Sequence, residues 1–465
     1  MHLSKDIHPH KRVLSVFTLV MINVIAVDSL RSLSISAEYG FSLVFYYSLA
    51  AVTFFIPMIL VTAELATGWP KIGGLYVWVR EAFGKRWGFF AICLQWLYNI
   101  VWFPTILAFV ASSITHLIGH TELADNNIYM LSTILLSFWG ATFANCFGMR
   151  VSSLICTLGA TIGTLLPMAI IITAAGYWLF QGNPSAIEFG HHTFWPDLSH
   201  INNLVFFTGI VFSLLGMEMS AVHAEDVKNP KRDYPRALFY SGLLILASLI
   251  FASLAVALIM PKQELSLVSG LFDAFEKFFI AFHVPWLSKL IMGMIVLGSI
   301  STVTAWIIGP SKGLLAAAED GCLPSLFCYT TDEGAPIMLL IVQGVIFSLL
   351  CGIFVLMPSV NSSYWLLSVL TAQLSMIVYL FMLAAGIKLR YKRPERPGAF
   401  MIPGGKIGLY VVCSLGILTC IAVTVLGFLP PLEFEVGNLF CYEFILIVGL
   451  LLLCIFPLLI YRKSS

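Results

Sequence analysis

Charge is what this sequence has least of. Its 465 residues include 25 Lys and Arg and 24 Asp and Glu, so that 11% are charged against 59% hydrophobic. Soluble domains carry about 25% charged residues, and a chain this poor in polar surface is excluded from facing water on all sides. A formal net charge of +1 leaves no basic footprint for nucleic acid. The ten cysteines contain no C-x-x-C pair, the closest being Cys322 and Cys328, which removes the common zinc and thiol-redox spacings. Cys93, Cys156 and Cys420 lie inside apolar runs, where a buried free thiol is expected. No H-E-x-x-H, no G-x-S-x-G and no phosphate-cradling G-x-x-x-x-G-K-[ST] occurs. Enzymatic chemistry and nucleotide-driven work have no carrier in the sequence, and neither a metal nor a cofactor is expected. A cleavable leader is not expected either: residues 1–12 are polar and basic, and no small-residue cleavage site follows the first apolar run.

What the chain has instead is long apolar runs. Crossing about 30 Å of hydrocarbon takes about 20 helical residues. Runs of that kind cover 13–35, 41–65, 88–115, 127–148, 151–181, 202–224, 235–260, 286–315, 336–357, 362–388, 407–429 and 438–461. Aromatic residues, 14% of the chain, suit lipid-facing and interfacial positions. The expectation is an all-α membrane protein of about twelve transmembrane helices, one integral domain over 1–465 whose solvent is membrane lipid. Segment 263–284 differs, because its apolar residues recur at helical spacing among Glu264, Asp273, Glu276 and Lys277. That pattern predicts an amphipathic helix over the mouth of the bundle rather than a span.

Basic residues give the orientation. With twelve spans, 21 of the 25 Lys and Arg fall on the side that holds both termini. They include Lys5, Lys11, Arg12, Lys71, Arg80, Lys85, Arg86, Arg150, Lys228, Lys231, Arg232, Arg236 and Lys312. The rest are Lys388, Arg390, Lys392, Arg393, Arg396, Lys406, Arg462 and Lys463. Lys262, Lys277 and Lys289 lie opposite, and Arg31 is inside a span. The positive-inside rule puts both termini in the cytoplasm.

Ionisable residues at membrane depth are costly and point to function. In the first span, VIAVDSLRSLSIS sets Asp28 and Arg31 among Ser29, Ser32, Ser34 and Ser36. Serine hydroxyls compete for backbone bonds, so this run predicts an unwound segment. Asp28 and Arg31, at i and i+3, either neutralise each other or read a ligand, with Arg31 on a carboxylate and Asp28 on an ammonium group. The sixth span carries Gly216, Met217, Glu218, Met219 and Ser220 midway along an apolar run. A second interruption is expected there, with Glu218 either beside a substrate path or protonated and bonded to a neighbouring helix. His223, Glu225 and Asp226 are expected at the interface. Breaks five spans apart are the pattern of an inverted-repeat transporter: 1–181 would form one five-helix repeat, 202–388 the second, and 407–461 two added helices. Such breaks present amides to an anion and carbonyls to a cation, and an amino acid carries both.

Five blocks now resemble a known family. AELATGWPKIGGLYVWVREAFGKRWGF, GMEMSAVHAEDVKNPKRDYPRAL, WIIGPSKGLLAAAEDGCLP, MIPGGKIG and GFLPP are similar to motifs of the amino acid–polyamine–organocation superfamily. Within it the chain resembles the glutamate:4-aminobutyrate antiporter branch. The resemblance implies a leucine-transporter-like fold and alternating access to an amino-acid site between spans 1, 3, 6, 8 and 10. It carries a span-6 carboxylate onto Glu218 and a gate-region Trp onto Trp306, with Tyr98 and Trp102 as further lining or ordinary packing. The chain departs from the family at DSLRSLSISAE in span 1 and at Thr157, where proton-coupled relatives often carry Lys. The few residues after the last run, Arg462 to Ser465, would leave no autoinhibitory plug. An amino-acid exchanger is the leading expectation. A proton- or sodium-coupled symporter, with Ser301 and Thr302 among the span-8 hydroxyls as a cation site, is one alternative, and a channel or non-transporting sensor is another.

Overall fold

The computed structural model describes residues 15–70, 73–146, 157–196, 204–221, 227, 229–331, 334–353, 359–392, 400–430 and 438–462. Lys5, Lys11, Arg12, Lys71, Arg150, Cys156, His223, Glu225, Asp226, Lys228, Arg393, Arg396 and Lys463 lie outside the described residues. Among those described, the secondary structure is helical throughout.

The first span is a broken pair, α1 (Val16–Val27) and α2 (Leu33–Ala37), bent by 41° and joined by a 3₁₀ turn at Leu30–Ser32. Then follow α3 (Gly40–Gly68), the short basic-edge helix α4 (Leu75–Phe83), α5 (Lys85–Ile118), α6 (Asn127–Asn145) and α7 (Gly159–Phe180). The sixth run begins as α8 (Val205–Ser213) and the seventh is α9 (Pro230–Ile259). After them come α10 (Gly270–Ala281), α11 (Trp286–Glu319), α12 (Ile337–Leu350), α13 (Val360–Lys392), α14 (Gly405–Leu426) and α15 (Leu439–Ile460). Each of the twelve sequence runs contains one of these helices. Nine described helices are long and apolar enough to cross a membrane, and the bent pair makes ten. The other two, α8 and α12, have 9 and 14 residues, and their runs continue into residues that are not described. The chain is an all-α membrane protein.

Two helices form the axis. The most apolar window of α5 is 89% buried and that of α13 is 83% buried, whereas α15 is 11% buried and turns its Leu and Phe side chains outward. Helix α5 packs on both α13 and α11, α1 packs on α11 and α8 packs on α13, which places the third, eighth and tenth spans around the first and sixth. Small residues let α7 and α11 touch. Cβ atoms built at Gly163 and Gly298 would meet the opposing backbone at 2.3 and 2.5 Å.

The amphipathic expectation at 263–284 corresponds to α10, which buries Leu271, Phe272, Phe275, Phe278 and Phe279. Its charged face carries Lys277, paired with Glu264 at 2.7 Å. His116, near the end of α5, meets Asp273 at 3.3 Å and holds α10 over that end of the bundle.

Candidate functional site

Helix α1 stops at Val27 because Asp28 leaves helical geometry, with φ −75° and ψ 96°, and Ser29 is extended too. The last carbonyls of a helix have no partner within their own helix. Here the indole N–H of Trp306, from α11, donates to the Ala26 carbonyl at 3.1 Å. The sixth span stops as well: α8 ends at Ser213 and Gly216 takes φ +114°. That conformation suits only glycine. A Cβ at Gly216 would stand 2.9 Å from the Trp306 ring and 3.1 Å from the Ala26 carbonyl. The two breaks therefore meet at Ala26 and Gly216, with Trp306 wedged against both.

Glu218 lies 4% exposed beside this junction. Gln95 Nε2 donates to its Oε1 at 3.1 Å, and the Tyr379 hydroxyl donates to its Oε2 at 2.8 Å. The same hydroxyl accepts from the Gly216 amide at 3.1 Å. One oxygen from α13 thus ties the backbone of the break to the carboxylate. Tyr98 joins through Gln95 at 3.4 Å. Met217 is buried, and the Met219 methyl occupies the notch left by Gly309, where a Cβ would come within 2.4 Å. Trp102 packs on Trp306 with ring centroids 5.7 Å apart.

Arg31 is 3% exposed and turns towards α8 and α13. Its Nη1 donates to the Tyr364 hydroxyl at 3.0 Å and lies 3.5 Å from Ser368 Oγ. Its guanidinium sits 4.8 Å from the centre of the Phe212 ring, a cation–π contact. Its Nε has no hydrogen-bond partner among the described residues. Asp28 turns to α9, where Ser248 Oγ lies 2.7 Å from Oδ2. The two charges do not form the ion pair that spacing i, i+3 allowed. That rule holds for a continuous helix, and the break between them sends the side chains to opposite neighbours. Ser32 is buried on the 3₁₀ turn, its carbonyl accepting from Ser36 Oγ at 3.0 Å, while Ser29 is partly exposed.

The span-8 hydroxyls bond their own helix: Ser301 to the Leu297 carbonyl at 2.7 Å and Thr302 to the Gly298 carbonyl at 3.1 Å. Among the described residues no three His, Cys, Asp or Glu side chains are grouped as a metal ion would need. Sequence reading missed Gln95, Phe212, Ser248, Tyr364, Ser368 and Tyr379. Their signal is weak, since each is one polar or aromatic residue in an apolar run.

The motif blocks do a different job, at the lysine- and arginine-rich edge. Glu64 pairs with Arg390 and accepts from the Ile402 amide at 3.0 Å, joining the ends of α3 and α13 to the turn before α14. Asp320, after α11, binds Arg80 of α4 and accepts from the Tyr76 hydroxyl at 2.6 Å. Partial burial works to raise the Asp320 carboxyl, but the Tyr76 and Arg80 hydrogen bonds outweigh it and hold it below its ordinary value.

Known proteins match this arrangement over nearly its full length. The model of the amino acid permease family covers residues 13–451. An uncharacterized transporter of Legionella pneumophila is 53% identical over 98% of this chain and 98% of its own length. A glutamate/gamma-aminobutyrate antiporter of Lactococcus lactis is 30% identical over 90% of this chain and 84% of its own. A probable agmatine/putrescine antiporter of the same species is 25% identical over 97% of this chain and 96% of its own. With two broken spans meeting at the centre of an integral membrane bundle, the chain belongs to the amino acid permease family, as an amino acid–polyamine–organocation transporter resembling the glutamate/4-aminobutyrate antiporters.

Proposed function

We propose that the protein is an amino-acid exchanger of the glutamate/4-aminobutyrate antiporter type, working by alternating access. Its setting would be a bacterial cytoplasmic membrane, with both termini in the cytoplasm and repeats at 1–181 and 202–388 related by a pseudo-two-fold axis. The substrate carboxylate docks at the first break, on its free amides and Arg31. Its ammonium group docks on carbonyls freed at the sixth-span break, and Glu218 borders the path, with Trp102 and Trp306 as walls. The carrying observation is Arg31: a buried guanidinium held by two neutral hydroxyls and a ring, with Nε unpaired. A cation buried without a carboxylate is several kcal/mol short of compensation, and a substrate carboxylate supplies it. The polyamine-carrying relatives lack that rationale here, because a polyamine brings a second cation to Arg31. Sodium coupling draws no support from Ser301 and Thr302, whose hydroxyls donate to helix carbonyls.

The test uses purified protein in proteoliposomes, with labelled glutamate, 4-aminobutyrate and putrescine outside. Rapid uptake of an amino acid is expected only into vesicles preloaded with unlabelled amino acid, and Arg31→Ala is expected to abolish it. Equal uptake with and without preloading would sink exchange. Uptake of putrescine alone would sink the amino-acid reading.

A further inference from the structure

We propose that Asp28 is a proton-carrying site of the transport cycle, lodged between the first and seventh spans and apart from the face that holds Arg31. Asp28 is 1% exposed. Among the described residues its one hydrogen-bond partner is Ser248 Oγ, 2.7 Å from Oδ2, and its Oδ1 has none. Arg31, three residues on, is committed to Tyr364 and Ser368. A carboxylate in this place would be a buried charge with no cation and one neutral hydroxyl, an arrangement that costs several kcal/mol.

Hydrogen accounting selects the other form. Ser248 owns one hydroxyl proton, and its oxygen lies 2.9 Å from the Leu244 carbonyl and 3.0 Å from the Ile245 carbonyl of its own helix. Serine in a membrane helix gives its proton to such carbonyls. The 2.7 Å contact then needs a proton from the carboxyl: Asp28 donates and Ser248 Oγ accepts, so every proton in the chain has an acceptor. The surroundings bring no competing charge. From α3, Tyr47 is the titratable group near enough to feel Asp28, and its hydroxyl is engaged with Ser36 at 2.8 Å and Ser213 at 3.3 Å. From α9 the ionisable residues, Lys231 to Arg236 and Tyr240, sit at the opposite end of the helix from Ser253, with Ser248 in the apolar part. On α11, Lys289 and Lys312 lie towards the ends, and α7 carries only Tyr177, near its far end. On its own helix α1 the nearest polar side chain is Asn23, which donates to Ser241 at 3.0 Å.

The position couples this proton to movement. Asp28 is the residue at which α1 ends, two residues past Ala26, whose carbonyl meets Trp306 and the Gly216 break. Any change in the bend moves its carboxyl relative to Ser248. In the closed state the proton is held. When the break opens to water on either side, the carboxylate is hydrated and the proton leaves to water, and the return step takes one up. Nothing else is consumed. The proposal rests on the transport reading but is indifferent to the cargo.

Infrared spectroscopy of the full chain in lipid tests it, between about pH 5 and about pH 9. Near neutral pH the wild type and Glu218→Gln are expected to show a carboxylic-acid carbonyl band that Asp28→Asn lacks. Ser248→Ala, which removes the acceptor, is expected to move that band to higher frequency. In counterflow of labelled glutamate and 4-aminobutyrate, the wild-type rate is expected to fall as pH rises, and the Asp28→Asn rate to lose that dependence. A wild type with no such band, or a band untouched by both substitutions, overturns the proposal. Should Asp28→Asn fail to fold, Ser248→Ala decides, an unmoved band being the refuting result. A band that behaves as stated in a protein that exchanges neither label supports the proton site and overturns only the amino-acid reading.

Discussion

Tyr379→Phe removes one oxygen from the chain that joins the sixth-span break to its carboxylate. Two hydrogen bonds go with it: the one received from the Gly216 amide at 3.1 Å and the one given to Glu218 at 2.8 Å. Both ends are buried, so neither gains water in exchange. A neutral bond of this kind is worth about 0.5–1.5 kcal/mol, and one to a charged group about 1.5–3 kcal/mol. Together the loss is about 2–4.5 kcal/mol, read as a fall in kcat/KM for counterflow of between about 30-fold and about 2,000-fold. In the proposed exchange cycle every turnover crosses the closed junction, so the cost is expected in the rate. The decisive measurement is a double-mutant cycle with Glu218→Gln. If the hydroxyl acts through the Glu218 charge, Tyr379→Phe in the Gln background should cost only two neutral bonds, leaving a coupling of about 1 kcal/mol or more. Effects that add to within about 0.5 kcal/mol would refute the chain as drawn.

Two further outcomes follow from the same contacts. Gly216→Ala adds a methyl 2.9 Å from the Trp306 ring at φ +114°, so it should abolish counterflow while detergent-extracted protein stays monodisperse; activity within twofold of wild type would mean that the breaks do not meet as described. Asp320→Asn should weaken the clamp to Arg80 by about 0.5–1 kcal/mol near neutral pH, the range for a partly exposed pair. The carboxyl is held below its ordinary value of 3.8, so its stabilisation is present above that value and is lost as pH falls through the lower folded one. The difference in thermal stability between wild type and Asp320→Asn should therefore vanish in strong acid, and a difference that grows on acidification would contradict the sign.

Helices and their broken members were legible because hydrophobic length and local chemistry act within a few residues. The serine run after Val27 and the glycine at 216 are local causes of local breaks, and hydropathy needs no partner to be read. What the breaks meet was not legible. Ser248 contacts Asp28 across 220 residues and Tyr364 contacts Arg31 across 333. Nothing in the sequence sets Ser248 apart from Thr371, whose hydroxyl bonds its own helix at 2.7 Å, or Tyr364 from the other tyrosines of the apolar runs. The i, i+3 spacing of Asp28 and Arg31 misled for a related reason: it presumes the helix that the same serines interrupt.

The placement of the motif blocks explains why family likeness and cargo come apart in this chain. Glu64 lies in one block, Asp320 in another, and Ile402 in a third. All three act at the basic edge, where they fasten α3 to α13 and α4 to the end of α11. Trp306 and Gly216 belong to blocks as well, and they seal the junction of the breaks. These are the parts that any carrier built on two broken helices needs, whatever it moves. The segment 28–38 supplies Arg31 and Asp28, one facing α13 and the other α9. Under the proposed exchange cycle, the block residues specify the frame, and the charges on the first break are where cargo and coupling would be chosen.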